Sequence, residues 1–280
     1  AKYFVIWKKL TKKNKRTSAR ISADGQRIVV WQDEFGQLVD LVRDSKVTLD
    51  ADVRGAMFAR KQNLVVSWTN DDVQIWDVQG QSIQFLGLFD VTDVHFYGTN
   101  KSLFIRSGSD IQLVDLKYGH VNTILQSAIC PTKVYPSQDL TKVMSLTSNG
   151  SIEIWKARSI ERIRKWTGDP DIQSIHFSPD GRNIAYCTLS KDIKLLDVNS
   201  GNEETLIGHK KSVKHVQFSC DGKILVSCSY DKTIRLWNVK TKQLIQVVRG
   251  HSDVVTEAYI SSDNSTIISL SNDSTIRLWR

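Results

Sequence analysis

One unit of about 42 residues is written twice at the end of the chain. Gly208-His209 is followed by Asp231 and Trp237, and Gly250-His251 by Asp273 and Trp279. Each landmark lies 42 residues from its counterpart. Between landmarks the residues alternate polar and apolar in strand-sized runs, as in TIRLW at 233–237 and again at 275–279, the period of a half-buried β-strand. A small sheet of this kind leaves both its faces uncovered, so such units bury them by stacking on one another.

The third run of the unit extends the pattern upstream. GQLVDLV, DVQIWDV, DIQLVDL, SIEIWKA, DIKLLDV and TIRLWNV close on Val39, Trp76, Val114, Trp155, Leu196 and Trp237, before the last copy closes on Trp279. The steps are 37, 38, 41, 41, 41 and 42 residues, which makes seven units with no room for a linker. Asp-Gly turns recur inside Ser22–Gly25, Ser178–Gly181 and Ser219–Gly222, each between two alternating runs, where Gly accepts the positive φ a tight hairpin needs. The unit reads as four antiparallel strands.

A period near 40 with a Gly-His opening and a Trp close resembles the WD-repeat β-propeller family. The resemblance covers the whole chain and is strongest over 170–280. It implies an all-β, seven-bladed β-propeller with four antiparallel strands per blade, forming a single domain over 1–280. The last unit stops after its third strand, and residues 1–10, AKYFVIWKKL, hold an alternating strand with no blade of its own. Pairing 2–8 with 275–280 completes the last blade and closes the ring, leaving no exposed edge there. The start at Ala1 reads as a fragment of a longer protein.

The resemblance also assigns a structural hydrogen-bond chain to His209, Ser229, Asp231 and Trp237, with Ser227 as the alternative serine, and to His251, Ser271, Asp273 and Trp279. A buried indole N–H and a buried imidazole each need a partner. A Ser/His/Asp set suggests hydrolase chemistry, but the same set in adjacent units argues for structure. Equivalents of Asp231 upstream are Asp33, Asn70, Gly108, Asn149 and Ser190, so the first five blades are expected to rest on apolar packing. Trp31 and Trp68 stand where the last units have Ser229 and Ser271. They read either as packing between blades or as a partner-facing aromatic pair.

Composition narrows the function classes. Apolar residues make up 40% and charged residues 24%, and no apolar run is long enough to span a bilayer. Cys130, Cys187, Cys220 and Cys228 form no C-x-x-C pair and read as free thiols of a reducing compartment. No phosphate loop or metal-ligand spacing occurs, so no cofactor, metal or catalytic residue is expected. The localisation expected is intracellular, cytoplasmic or nuclear.

One segment departs from this background. Lys8, Lys9, Lys12, Lys13, Lys15, Arg16 and Arg20 crowd residues 8–20 without an acid; the formal net charge is +8, and without these seven it is +1. The segment reads as a top-face loop. As well as a solvated loop, it suits an acidic or phosphorylated segment of another protein; RNA, a phosphate group or anionic lipid is the alternative. With Arg54, Lys210, Lys211, Tyr230 and Asn272 it makes up the expected partner-binding set of a non-catalytic scaffold or adaptor.

Overall fold

The computed structural model describes residues 3–8, 17–32, 35–49, 52–59, 63–97, 102–108, 110–118, 121–126, 133–137, 141–156 and 161–280. These form twenty-eight strands, β1–β28, in seven four-stranded sheets. The seven closing residues found in the sequence all fall on third strands, from Val39 on β4 (Phe35–Asp40) to Trp279 on β28 (Thr275–Trp279). Blade one is β2 (Ser18–Ile21), β3 (Arg27–Gln32), β4 and β5 (Ser45–Thr48); blade six is β22 (Val213–Phe218), β23 (Ile224–Ser229), β24 (Ile234–Asn238) and β25 (Leu244–Val248); blade seven has the order β1-β28-β27-β26, with β27 at Ile267–Ser271 and β26 at Val255–Ile260. β1 (Tyr3–Lys8) runs antiparallel to β28, with Tyr3 opposite Trp279 and Lys8 opposite Thr275. The amino-terminal strand thus supplies the fourth strand of the last blade.

The innermost strands are β2 (Ser18–Ile21), β6 (Gly55–Phe58), β10 (Val91–Tyr97), β14 (Lys133–Pro136), β18 (Ser174–Phe177), β22 (Val213–Phe218) and β26 (Val255–Ile260). Each touches the next, and β26 touches β2, so the ring is closed. The core has the same sevenfold organisation. Ala19, Ile28 and Val30 of blade one meet Ile268, Leu270 and Leu278 of blade seven. Val226, Cys228 and Ile234 of blade six meet Val255, Ala258 and Ile260 of blade seven. Comparable clusters fill the other junctions between blades among the described residues. Alternation along each strand sends one set of side chains into each of the two neighbouring junctions. Burial of that apolar surface between blades is what holds the wheel together.

The tight turns follow from local chemistry. Ser178 Oγ donates to Asp180 Oδ1 at 2.6 Å, and Ser219 Oγ to Asp221 Oδ1 at 2.6 Å. Gly25, Gly181 and Gly222 then take φ of +68°, +63° and +70°. The same turn is built a fourth time at 261–264, where Ser261 Oγ donates to Asp263 Oδ1 at 2.6 Å and Asn264 takes φ of +60°. Asparagine tolerates the left-handed region better than other side-chain-bearing residues, so the motif persists there without its glycine.

Candidate interaction face

The connections between blades and the turns from second to third strand share one face of the ring. On blade six the sequence Gly208–His209 enters along this face, and His209 folds inward. Its Nδ1 lies 2.9 Å from Asp231 Oδ2 and its Nε2 lies 2.8 Å from Ser227 Oγ, which also accepts the Trp237 indole N–H at 2.8 Å. Blade seven repeats this, with His251 at 2.8 Å from Asp273 Oδ2 and 2.7 Å from Ser269 Oγ, and Trp279 donating to Ser269 at 2.8 Å.

The bridging serines are therefore Ser227 and Ser269; Ser229 and Ser271 are not part of the chain. The pairing register explains the difference. Leu225 lies opposite Trp237, so Ser227 is its diagonal neighbour, within reach of a long side chain. Ser229 lies one further step along and serves the turn instead: its Oγ donates to the Lys211 carbonyl at 3.0 Å and accepts the Asp231 amide at 3.0 Å. Ser271 likewise donates to the Asp253 carbonyl and accepts the Asp273 amide.

Each network also contains a threonine that the sequence reading missed. Thr233 Oγ1 donates to Asp231 Oδ1 at 2.6 Å, and Thr275 does the same to Asp273 at 2.5 Å. The signal was the shared Asp-x-Thr spacing. A shorter form of the network holds blades two and four. Trp76 donates to Ser67 Oγ at 2.8 Å and Trp155 to Ser145 Oγ at 2.9 Å. A serine nine or ten residues before the closing tryptophan marks all four cases.

Burial acts first on Asp231 and works to raise its pKa. Hydrogen bonds from His209, Thr233 and the Lys210 amide outweigh it and hold the carboxyl well below the usual range. Asp273 shows the same balance, lowered to about 2 by Thr275, His251 and the Ser252 amide against its burial. His209 and His251 are both pushed down by burial, which their aspartates only partly offset. A neutral imidazole between an anionic carboxylate and a hydroxyl uses both ring nitrogens: it donates to Asp from Nδ1 and accepts from Ser at Nε2. The serine hydroxyl is thereby committed to the histidine and accepts from tryptophan, deep in a packed junction.

Above this network lie the predicted contact residues. Lys210 and Lys211 are exposed, Tyr230 is 37% exposed, and Asn272 is exposed on blade seven. Two neighbours were not foreseen: Leu189, 51% exposed in the turn of blade five, and Ile207, 72% exposed in the connection to blade six. Ser212 Oγ donates to the Leu189 carbonyl and the Tyr230 amide donates to the Ser212 carbonyl at 3.0 Å, which ties the turn of blade five to that of blade six. Lys214 Nζ stands 5.8 Å from the Tyr230 ring centroid. The loops of blades five and six on this face thus carry exposed apolar side chains and lysines.

Arg54 and Arg20 lie away from these loops. Arg54 is exposed at the start of blade two, three blades away. Lys9, Lys12, Lys13, Lys15 and Arg16 lie outside the described residues, and Lys8 ends β1. Arg20 departs from the loop reading. It lies on the innermost strand β2, where Nη1 donates to the Ala19 carbonyl at 3.0 Å and to Tyr259 Oη, and it stands 3.5 Å from Glu257 Oε2. Its guanidinium covers the Tyr259 ring at 4.1 Å. Trp31 and Trp68 pack into the junctions of blades one with two and two with three, so the packing reading holds for both. Burial pushes the Cys187 thiol up to about 12 and Cys228 well above its ordinary value. Among the described residues no group of three or more His, Cys, Asp or Glu is arranged to hold a metal, and no helix is long and apolar enough to cross a membrane.

The family profile described as WD domain, G-beta repeat matches residues 202–238 and 242–280. No curated protein matches the chain by sequence. The matched segments are the two blades with the full His–Ser–Trp network, and with the seven-bladed ring they are consistent with the WD-repeat β-propeller family. Proteins of this class are generally interaction scaffolds and typically carry no catalysis of their own.

Proposed function

We propose that this chain is a non-catalytic scaffold that grips an acidic segment of a partner protein on the face of blades five and six. The observation that supports it is that the loops of this one face leave Leu189, Ile207 and Tyr230 exposed together with Lys210 and Lys211. Exposed apolar side chains in loops have no packing duty. A tyrosine offers large contact area at low entropic cost, which makes it a suitable anchor. Lysines at the rim select for negative charge and speed encounter more than they add affinity. The rigid network beneath fixes these loops before a partner arrives, which lowers the ordering cost of binding.

The test is a fluorescence anisotropy titration with a labelled peptide carrying one Phe among Glu residues. Tyr230→Ala is expected to weaken binding about tenfold or more, the loss of a buried aromatic anchor. The pair Lys210→Glu and Lys211→Glu is expected to weaken it similarly, with most of the change in the association rate and a shallower salt dependence. Equal affinity in all three proteins would place recognition elsewhere.

A further inference from the structure

The outer rim of the wheel carries one strand unlike its described counterparts. β9 (Ser82–Gly87) ends the sheet of blade two, beside β8 (Asp72–Asp77). Side chains alternate across it. Leu86 packs into the junction with blade three. Ile83 and Phe85 point to the other side, where they are 56% and 62% exposed. Phe85 stands opposite Gln74, so its cross-strand neighbour is polar and offers no apolar cover.

Charge separates β9 from the other outer strands whose side chains are described. β5 carries Lys46, β17 (Arg162–Trp166) carries Arg162, Arg164 and Lys165, and β21 (Glu203–Leu206) carries Glu203 and Glu204. β25 is itself uncharged, but Arg249 directly follows it and Lys242 stands two residues before it. Charge on an edge strand guards against pairing with another chain. The guard is strongest against a second copy, because antiparallel pairing about a two-fold axis brings an edge's like charges together. β9 has no such guard. Residues 78–89, VQGQSIQFLGLF, include no charged residue. The nearest charges are Asp90, three residues past the strand, and Asp77, five before it; Asp77 is engaged in its own turn, accepting the Gln79 and Gln81 amides at 2.8 Å.

We propose that β9 is a self-association edge, through which two copies of this chain pair antiparallel and join their four-stranded second blades into one continuous sheet. A two-fold axis centred on Gln84 places Ile83 of each copy opposite Phe85 of the other. The four side chains then form one apolar row, and aromatic and β-branched residues facing each other stabilise antiparallel strands. The contact uses the same surface on both copies and closes on itself, so association stops at two. An interface one strand wide is small, at the weak end of specific contacts. The edge goes beyond the scaffold reading: it lies on the rim of blade two and uses none of the loops of blades five and six.

The experiment is sedimentation equilibrium of the whole chain at several loading concentrations. The mean mass should rise from that of one chain toward that of two and no further. The formal net charge is +8, so two copies repel at a distance while the contact itself is uncharged. Added salt should therefore tighten the dimer, opposite to its expected effect on the acidic peptide. Ile83→Lys with Phe85→Lys should weaken self-association at least about tenfold, because lysine then stands opposite lysine. Ile83→Glu with Phe85→Glu should do the same. Both side chains are exposed, so neither double variant disturbs the core. An equal mixture of the two double variants should associate again, as a mixed dimer. Tyr230→Ala should dimerise as the unaltered chain does, which separates this edge from the peptide-gripping face. An unaltered chain that stays monomeric would overturn the proposal and leave the edge to a strand of another protein. So would association beyond two, a lysine variant that dimerises undiminished, or a mixture that does not pair.

Discussion

Replacing Ser227 by alanine should destabilise the protein by about 2–4 kcal/mol while leaving the ring intact. The hydroxyl is fully buried and serves two groups at once, His209 Nε2 and the Trp237 indole N–H. Its removal leaves both without a partner in a junction that water does not reach, and each orphaned group costs about 1–3 kcal/mol. Ser229→Ala, two residues along the same strand, should cost less, about 0.5–1.5 kcal/mol. Ser229 makes two hydrogen bonds, but both serve a turn beside solvent. Urea denaturation of the two variants checks the order. If Ser229→Ala proves the more damaging, the network has been traced through the wrong serine.

Acid should unfold the protein well before its carboxylates titrate. Burial is the main cause holding His176 down to about 3, with Arg20 next, and burial likewise holds His215, His209 and His251 below their ordinary value. The sign follows from linkage. Below about pH 6.5 the unfolded chain binds protons on these histidines and the folded chain does not, so stability falls as pH falls. For His176 alone the loss runs from pH 6.5 down to about 3 at up to about 1.4 kcal/mol per pH unit, or about 3 kcal/mol by pH 4. The depressed Asp231 and Asp273 add their own loss at lower pH, beginning near the ordinary aspartate value of 3.8. Melting temperatures across pH 7 to 4 check this. His176→Gln should flatten the curve, whereas a slope unchanged by that substitution would show that the imidazole is not kept neutral by the fold.

The blade count and the closing strand were legible because both rest on spacing. The position of each third strand repeats within a few residues, and an alternating strand without a blade must find the blade that lacks one. The choice of serine was harder to read. Ser227 and Ser229 share one face of a strand, and only the pairing of Leu225 opposite Trp237 says which of them the indole reaches. Asn264 reads as a turn residue, but the absence of glycine hides that its turn is the fourth copy of the Ser-x-Asp motif. Arg20 was grouped with the basic segment by sequence proximity, yet it belongs to the first strand and turns to the axis. Leu189 and Ile207 escaped notice because an apolar residue in a loop looks no different in sequence from one tucked beneath it.

If the loops of blades five and six do the recognising above a ring that stays rigid, hydrogen exchange of the whole chain with and without the acidic peptide will show it. Protection on binding should appear at residues 188–192, 207–214 and 230–233, with the strands beneath unchanged. Protection centred on the outer strands of the blades, or spread evenly over all seven, would contradict it.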